Sequence, residues 1–452
     1  MSTPADPNVS HIRRINRKLT ILLRTGMLLM ESAADTNRIV RNMRRVAAFL
    51  GLEEEHLHID VLYGTIKVNY SNAEHSFSRF VRSDRYTINM RALAAISRLS
   101  WRSIEQDYTP RHFERALGRI ATAPSEYPAW MVALGAALGC GAFCVLFGGD
   151  WPSFIPAMLA ALLGFVVRAA LLKSNFNVYM VTALAAFLST LTAWGLMQVL
   201  PEGFTAKPYH PFLSCALYLM PGVALINFLD DMLDNYLLVG LARMANALMQ
   251  MASMTFGIVV AVSLFGDMDH ISALSTTPAI SYGEAAVVTA IAAMGFGMIF
   301  NVPRRTLPVV ALLGVMGMFV RNFTAFSWSQ GVVLGSLLGA SLISLLAIRL
   351  VTPTRSPNHV LSIPSVIPMS PGILIYKGIM GFLHMNNEME DFFYAWDFLV
   401  SAALILLCLS VGVAIPNIFA RRWVASARKR ELRRLIEERR RRGHVLRLSD
   451  LE

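Results

Sequence analysis

Charge is what this sequence has least of: Asp, Glu, Lys and Arg make up 16% of its 452 residues, while 55% are apolar. An ordinary soluble domain is roughly a quarter charged, so a water-soluble globule is excluded. Cysteine is also scarce. The four present, Cys140, Cys144, Cys215 and Cys408, lie inside apolar runs without C-x-x-C spacing. Neither a zinc site nor a redox pair is expected, and they read as small packing residues. Residues Met1 to Arg14 lack an apolar stretch followed by a small-residue cleavage site, so no signal peptide is expected and the N-terminal region stays on the side where it is made. G-x-S-x-G and H-E-x-x-H motifs are missing from the N-terminal region as well, which removes two common hydrolase signatures.

The charge that is present sits at the two ends. Residues 1–125 carry a net +7, residues 126–420 a net −3 and residues 421–452 a net +7. The middle block holds only 23 charges in 295 residues, and its apolar runs are long enough to cross a hydrocarbon core about 30 Å thick. Ten spans are predicted, at about 128–148, 153–172, 177–199, 210–230, 236–265, 283–302, 306–323, 331–350, 360–383 and 393–419. Lys and Arg are retained on the cytosolic side. Arg168/Lys173, Arg304/Arg305, Arg349/Arg355 and the tail fall on one side, with Lys207 and Arg321 opposite, which predicts both termini inside.

An internal repeat crosses this block. Ala161-Leu-Leu-Gly164 recurs as Ala311-Leu-Leu-Gly314 and Pro221-Gly222 as Pro371-Gly372, both at a shift of 150 residues. Phe165-Val-Val-Arg168 has a near copy, Met318-Phe-Val-Arg321, three residues out of step. An odd number of spans per repeat requires the halves to be inverted, which is a transporter architecture. The expected fold class is therefore an α-helical polytopic membrane protein of about ten transmembrane helices, in two inverted five-helix repeats (126–280 and 281–420). A small α+β cytosolic domain (1–125) precedes them and a basic cytosolic tail (421–452) follows.

In the first domain, periodicity predicts helices near 14–30, 35–50, 89–106 and 110–122. Ser32-Ala-Ala-Asp35 reads as a loose capping box for the second, which stops at Gly51. Leu57, Ile59 and Val61 alternate with polar residues, Gly64 turns the chain, and Ile66, Val68 and Tyr70 alternate again. That predicts a β-hairpin, with a third strand at 77–81. His56 and His58 have no third ligand and read as surface residues. Glu31, Asp35 and His58 would be the catalytic candidates of a membrane-anchored hydrolase, the alternative to transport. The tail, Arg421 to Arg442, reads as a helix drawn to anionic lipid rather than to nucleic acid.

Pro removes a backbone donor and Gly costs helix stability, so each Pro-Gly pair should interrupt its span and free backbone groups for a ligand. Beyond the first break come Asn227, Asp230, Asp231 and Asp234, then Arg243 inside span five. The acids mark either the wet end of span four or the partners of Arg243, which would be costly unpaired. Arg168 and Arg321 read as interfacial snorkelling residues, whereas Lys377, five residues after the second break, has a better claim to face the path.

With those residues placed, the chain resembles the threonine/serine exporter family over about residues 15–420. The match runs through Gly26-Met-Leu-Leu-Met-Glu31-Ser32-Ala33-Ala34-Asp35-Thr36-Asn-Arg38 and Leu50-Gly51-Leu52. It continues in Pro221-Gly222, Asp230 or Asp231, Gly240-Leu-Ala-Arg243, Phe300-Asn-Val-Pro303-Arg304, and Pro371-Gly372 with Tyr376-Lys377. Ala33 stands where the family usually has Gly. The resemblance implies export of L-threonine and L-serine by a non-enzymatic, proton-driven carrier of the inner membrane, without cofactor or metal. Pro221, Gly222, Asn227, Pro371, Gly372, Tyr376 and Lys377 are the expected substrate-binding residues, and Asp230, Asp231 and Arg243 the expected coupling gate. Partners would be the amino acid, protons, anionic lipid and, compatibly, further copies of the chain.

Overall fold

The computed structural model describes residues 7–71, 75–174, 176–265, 280–383 and 389–441. It separates into two units, one of residues 1–125, 230–242 and 418–452, the other of residues 126–229 and 243–417.

The first unit contains α1 (Pro7–Glu31), α2 (Thr36–Phe49), β1 (Leu57–Leu62), β2 (Thr65–Ser71), β3 (Ser76–Arg82), α3 (Met90–Glu105) and α4 (Pro110–Ala121). The strands form one antiparallel sheet in the order β1-β2-β3. The predicted hairpin is present, with Val61 opposite Ile66 and Leu62 opposite Thr65, so a two-residue turn remains, in which Gly64 takes φ 79°. The helices cover the sheet because their apolar positions fall on one face. Leu19, Leu22, Leu29, Ile39 and Met43 meet Ile66 and Val68, with Met90, Leu93, Ile96 and Phe113 completing a core of residues at most 1% exposed. Close approach is set by Gly26, where an added Cβ would lie 2.4 Å from Met43 Sδ and 2.9 Å from Ile66 Cδ1.

The cap of α2 differs from the expected box. Asp35, not Ser32, is the N-cap: its carboxylate accepts the Arg38 N–H at 2.7 Å and pairs with Arg38 Nε at 2.9 Å. Ser32 instead donates to the Leu28 carbonyl at the end of α1, at 2.6 Å. His58 is exposed and Glu31 accepts from Ser83 Oγ at 2.5 Å. The three residues of the hydrolase reading thus serve a cap, a loop bond and a solvent-facing strand position.

The second unit begins with α5 (Ala129–Leu146), α6 (Trp151–Lys173), α7 (Val178–Val199) and α8 (His210–Ser214); α9 (Gly222–Leu233) and α10 (Leu237–Ser263) follow, of which residues 230–242 belong to the first unit. After residues 266–279 the order repeats, as α11 (Tyr282–Ile299), α12 (Leu307–Asn322), α13 (Gly331–Thr354), α14 (Asn358–Val366), α15 (Gly372–Leu383) and α16 (Met389–Arg441). Helix α5 packs on α6 and α6 on α7, while α8 touches all three; α11, α12, α13 and α14 repeat the pattern. Among the described residues, eight helices are long and apolar enough to span a membrane, and two bent pairs bring the number to ten. The chain is a multi-pass membrane protein. α12 ends in a π-turn at Phe323–Ser327, a few residues beyond the predicted span. α16 runs unbroken through 53 residues, joining the last span to the basic tail.

Candidate substrate site

Both Pro-Gly pairs break their spans, by 58° and 49°. Proline forces the preceding residue out of the helical region. Met220 accordingly has φ −62°, ψ 127° and Ser370 has φ −67°, ψ 142°. Each follows a single 3-10 turn, at Leu217–Leu219 and Ile367–Met369. Beyond the break, Pro221 O accepts the Leu225 N–H at 3.0 Å and Pro371 O the Ile375 N–H at 3.2 Å. The first-turn N–H groups of α9 and α15 therefore have no partner within their own helices, and the positive end of each helix dipole lies at the break.

The two breaks are in contact. A Cβ on Gly222 would lie 2.3 Å from Ile367 Cδ1, and one on Gly372 would lie 2.9 Å from Met220 Sδ and 3.0 Å from Leu217 Cδ2. A shift of 150 residues carries Gly222 to Gly372 and Leu217 to Ile367. The same contact is thus made once in each direction, as a twofold relation requires. Ser370 Oγ lies 3.6 Å from Met220 Sδ while donating to the Ile367 carbonyl at 2.6 Å. Gly164 and Gly314 let α6 and α12 approach the first halves of these spans: added Cβ atoms would stand 2.7 Å from Tyr218 Oη and 3.3 Å from Ser365 O.

Of the predicted site residues, Pro221, Gly222, Pro371 and Gly372 are brought together at this crossing. Asn227, Tyr376 and Lys377 are buried on α9 and α15, one to two turns beyond their breaks. Tyr376 Oη lies 3.5 Å from Met380 Sδ, and Lys377 Nζ lies 5.2 Å from the centre of the Phe398 ring. On the same two helices, Ala224, Leu225 and Ile375 join Met220, Ala247, Met251 and Ala402 in a buried apolar cluster. Asp230, Asp231 and Arg243 are also buried.

Sequence reasoning missed what Asp231 meets. Its Oδ1 accepts the backbone N–H of Thr36 at 2.8 Å, and Asn37 Nδ2 donates to Asp234 Oδ2 at 2.5 Å. Thr36 opens α2, so two carboxylates stand at the positive end of a helix dipole. The partners are 195 and 197 residues apart, and no local pattern could announce them. The Phe300–Arg304 motif has a bracing role: Asn301 Oδ1 accepts the Glu126 N–H at 2.8 Å, Tyr127 Oη donates to Val302 O at 2.8 Å, and Arg304 Nη2 donates to Glu126 O at 2.8 Å. These bonds tie the start of α5 to the loop ahead of α12.

The threonine/serine exporter family model matches residues 20–265, and a second model described as Threonine/Serine exporter, ThrE, matches residues 285–419. The "Threonine/serine exporter" of Corynebacterium glutamicum is 23% identical over 423 residues, covering 89% of this chain and 82% of that protein. A "Probable threonine/serine exporter" of Mycobacterium tuberculosis is 23% identical over 433 residues, covering 91% and 77%. The "Probable succinate transporter subunit YjjP" of Escherichia coli is 26% identical over 249 residues, covering 54% of this chain and 94% of that protein. No solved structure matches. The first break thus lies within one model and the second within the other, and this chain belongs to the threonine/serine exporter family.

Proposed function

We propose that the chain is a secondary active exporter of small hydroxy amino acids, L-threonine and L-serine, coupled to protons in the inner membrane. Both termini are cytosolic in this reading, and spans one to five are inverted against six to ten. The reciprocal contact of Gly222 with Ile367 and of Gly372 with Leu217 carries it. In an inverted-repeat carrier, broken spans meet at the substrate site. First-turn N–H groups of α9 and α15 suit an amino-acid carboxylate, and the carbonyl ends of the 3-10 turns suit its ammonium. Asn227, Tyr376 and Lys377 supply side-chain contacts.

Asp230, Asp231 and Arg243 form the coupling gate. Protonation of Asp231 removes the charge that Thr36 N–H stabilises, so proton uptake loosens the hold of α2 on the end of α9. A four-carbon dicarboxylate is the second reading, favoured by the name of the Escherichia coli relative.

The test is flux of labelled L-threonine in proteoliposomes under an imposed pH gradient. The wild-type chain should show gradient-accelerated flux, and Asp231→Asn should lose that acceleration while keeping part of the exchange. Absence of both threonine and serine flux would end the reading. Unchanged rate and pH dependence in both Asp230→Asn and Asp231→Asn would leave the acids with a structural role alone and place proton coupling elsewhere.

A further inference from the structure

Two arginines, Arg168 and Arg321, sit at corresponding places in the repeat. On α6, Ala157, Ala161, Gly164 and Arg168 follow one another at heptad spacing; on α12, Val310, Gly314, Gly317 and Arg321 do the same. The first three of each stripe are buried. Their faces lie where a neighbouring helix and the first half of a broken span meet: a Cβ on Gly164 would stand 1.8 Å from Ser189 Oγ and 2.7 Å from Tyr218 Oη, one on Gly314 3.2 Å from Ala293 Cβ and 3.3 Å from Ser365 O, and one on Gly317 2.3 Å from Ile343 Cδ1. The arginines continue these inward faces. The two stripes differ by 153 residues and the breaks by 150, and three residues is close to one turn, so either register keeps the same face inward.

The Nε atoms of Arg168 and Arg321 are both enclosed and both lack a hydrogen-bond partner. Arg321 Nη1 has only Met318 Sδ, at 3.5 Å, and its backbone is pressed against α13, where a Cβ on Gly335 would stand 2.5 Å from Arg321 O. Tyr218, one residue into the turn ahead of the first break, is near enough to Arg168 to interact with it electrostatically. Among the described residues no carboxylate pairs with either arginine. An unpaired guanidinium within a membrane-spanning bundle is costly, and the same arrangement occurs at equivalent places in both halves. A planar guanidinium presents a fork of donors matched to a carboxylate.

We infer that Arg168 and Arg321 are carboxylate-binding residues of the transport path, one receiving the substrate's anionic end from each side of the membrane. The sidedness rests on the inverted arrangement proposed above: Arg168 closes the second span and Arg321 the seventh, so inversion places them at opposite mouths. The chemistry requires only a carboxylate, which an amino acid and a dicarboxylate share.

The test uses the full chain in lipid nanodiscs, treated with phenylglyoxal and followed by peptide mass spectrometry. L-threonine or succinate should slow modification of Arg168 or Arg321 at least about fivefold, and L-threoninamide, which has no carboxylate, should not. Equal labelling with all three overturns the inference. In proteoliposomes, Arg168→Gln should raise KM about 10- to 100-fold from the cytosolic side alone and Arg321→Gln from the opposite side alone, the loss expected for a charged hydrogen bond, with Arg→Lys recovering part. A KM unchanged on both sides also overturns it. Protection by succinate without threonine flux would remove the amino-acid reading and keep the arginine assignment. Threonine flux with unprotected arginines would do the reverse.

Discussion

Ala33 holds a backbone position that favours glycine. α1 ends with the Ala34 N–H bonded to Leu29 O and the Ala33 N–H to Met30 O, both at 3.1 Å, a Schellman arrangement. This requires the left-handed region, and Ala33 has φ 62°, which costs an L-residue with a Cβ about 1 kcal/mol. Ala33→Gly should therefore stabilise the α1–α2 junction by about 0.5–1 kcal/mol, slowing amide exchange of that peptide roughly two- to fivefold. Faster exchange would show that the 2%-exposed Ala33 methyl contributes more by packing than it costs in strain. Alanine itself signals helix, so the strain was legible only through the resemblance, in which Gly is usual at this position. Asp35 was legible as a helix-start residue, but its place in the cap was misread by three positions, since Ser and Asp are both good N-caps and only the fold decides between them.

Elements whose pattern is periodic or punctuated were read correctly. The hairpin followed from alternation on either side of Gly64, and the broken spans from Pro-Gly alone, because proline acts on its own neighbour whatever surrounds it. The contact between the breaks could be expected only through the repeat, and its chemistry predicts an asymmetry. A Cβ added to Gly222 would stand 2.3 Å from the branched Ile367, whereas one added to Gly372 would stand 2.9 Å from the flexible Met220. Overpacking costs about 1–3 kcal/mol where neighbours cannot yield, and methionine yields more readily than isoleucine. Gly222→Ala should thus lower the melting temperature of the detergent-solubilised chain more than Gly372→Ala, and both should slow threonine flux. Equal or reversed losses would show that the breaks separate in the membrane.

At the scale of the molecule, the bonds from Asp231 and Asp234 to Thr36 and Asn37 predict what removing the N-terminal domain does. Deleting residues 1–120 should leave an insertable, folded membrane block whose flux responds to pH over a shifted range, since both carboxylates lose their donors. An unchanged pH profile would make these bonds incidental to transport. The last helix carries a different kind of consequence. α16 continues past Phe419, the end of its apolar stretch, to Arg441, and at 1.5 Å per residue that is roughly 33 Å along its axis. The field of a charged lipid surface fades within about 8 Å at physiological salt, a distance reached after about five residues. Along that axis, residues 428–441 are further from Phe419 than this distance. An upright helix of that length would carry residues 428–441 beyond the reach of lipid charge, so replacing the arginines there with glutamine should leave binding to anionic vesicles unchanged, and weakened binding would show that the helix lies down on the surface.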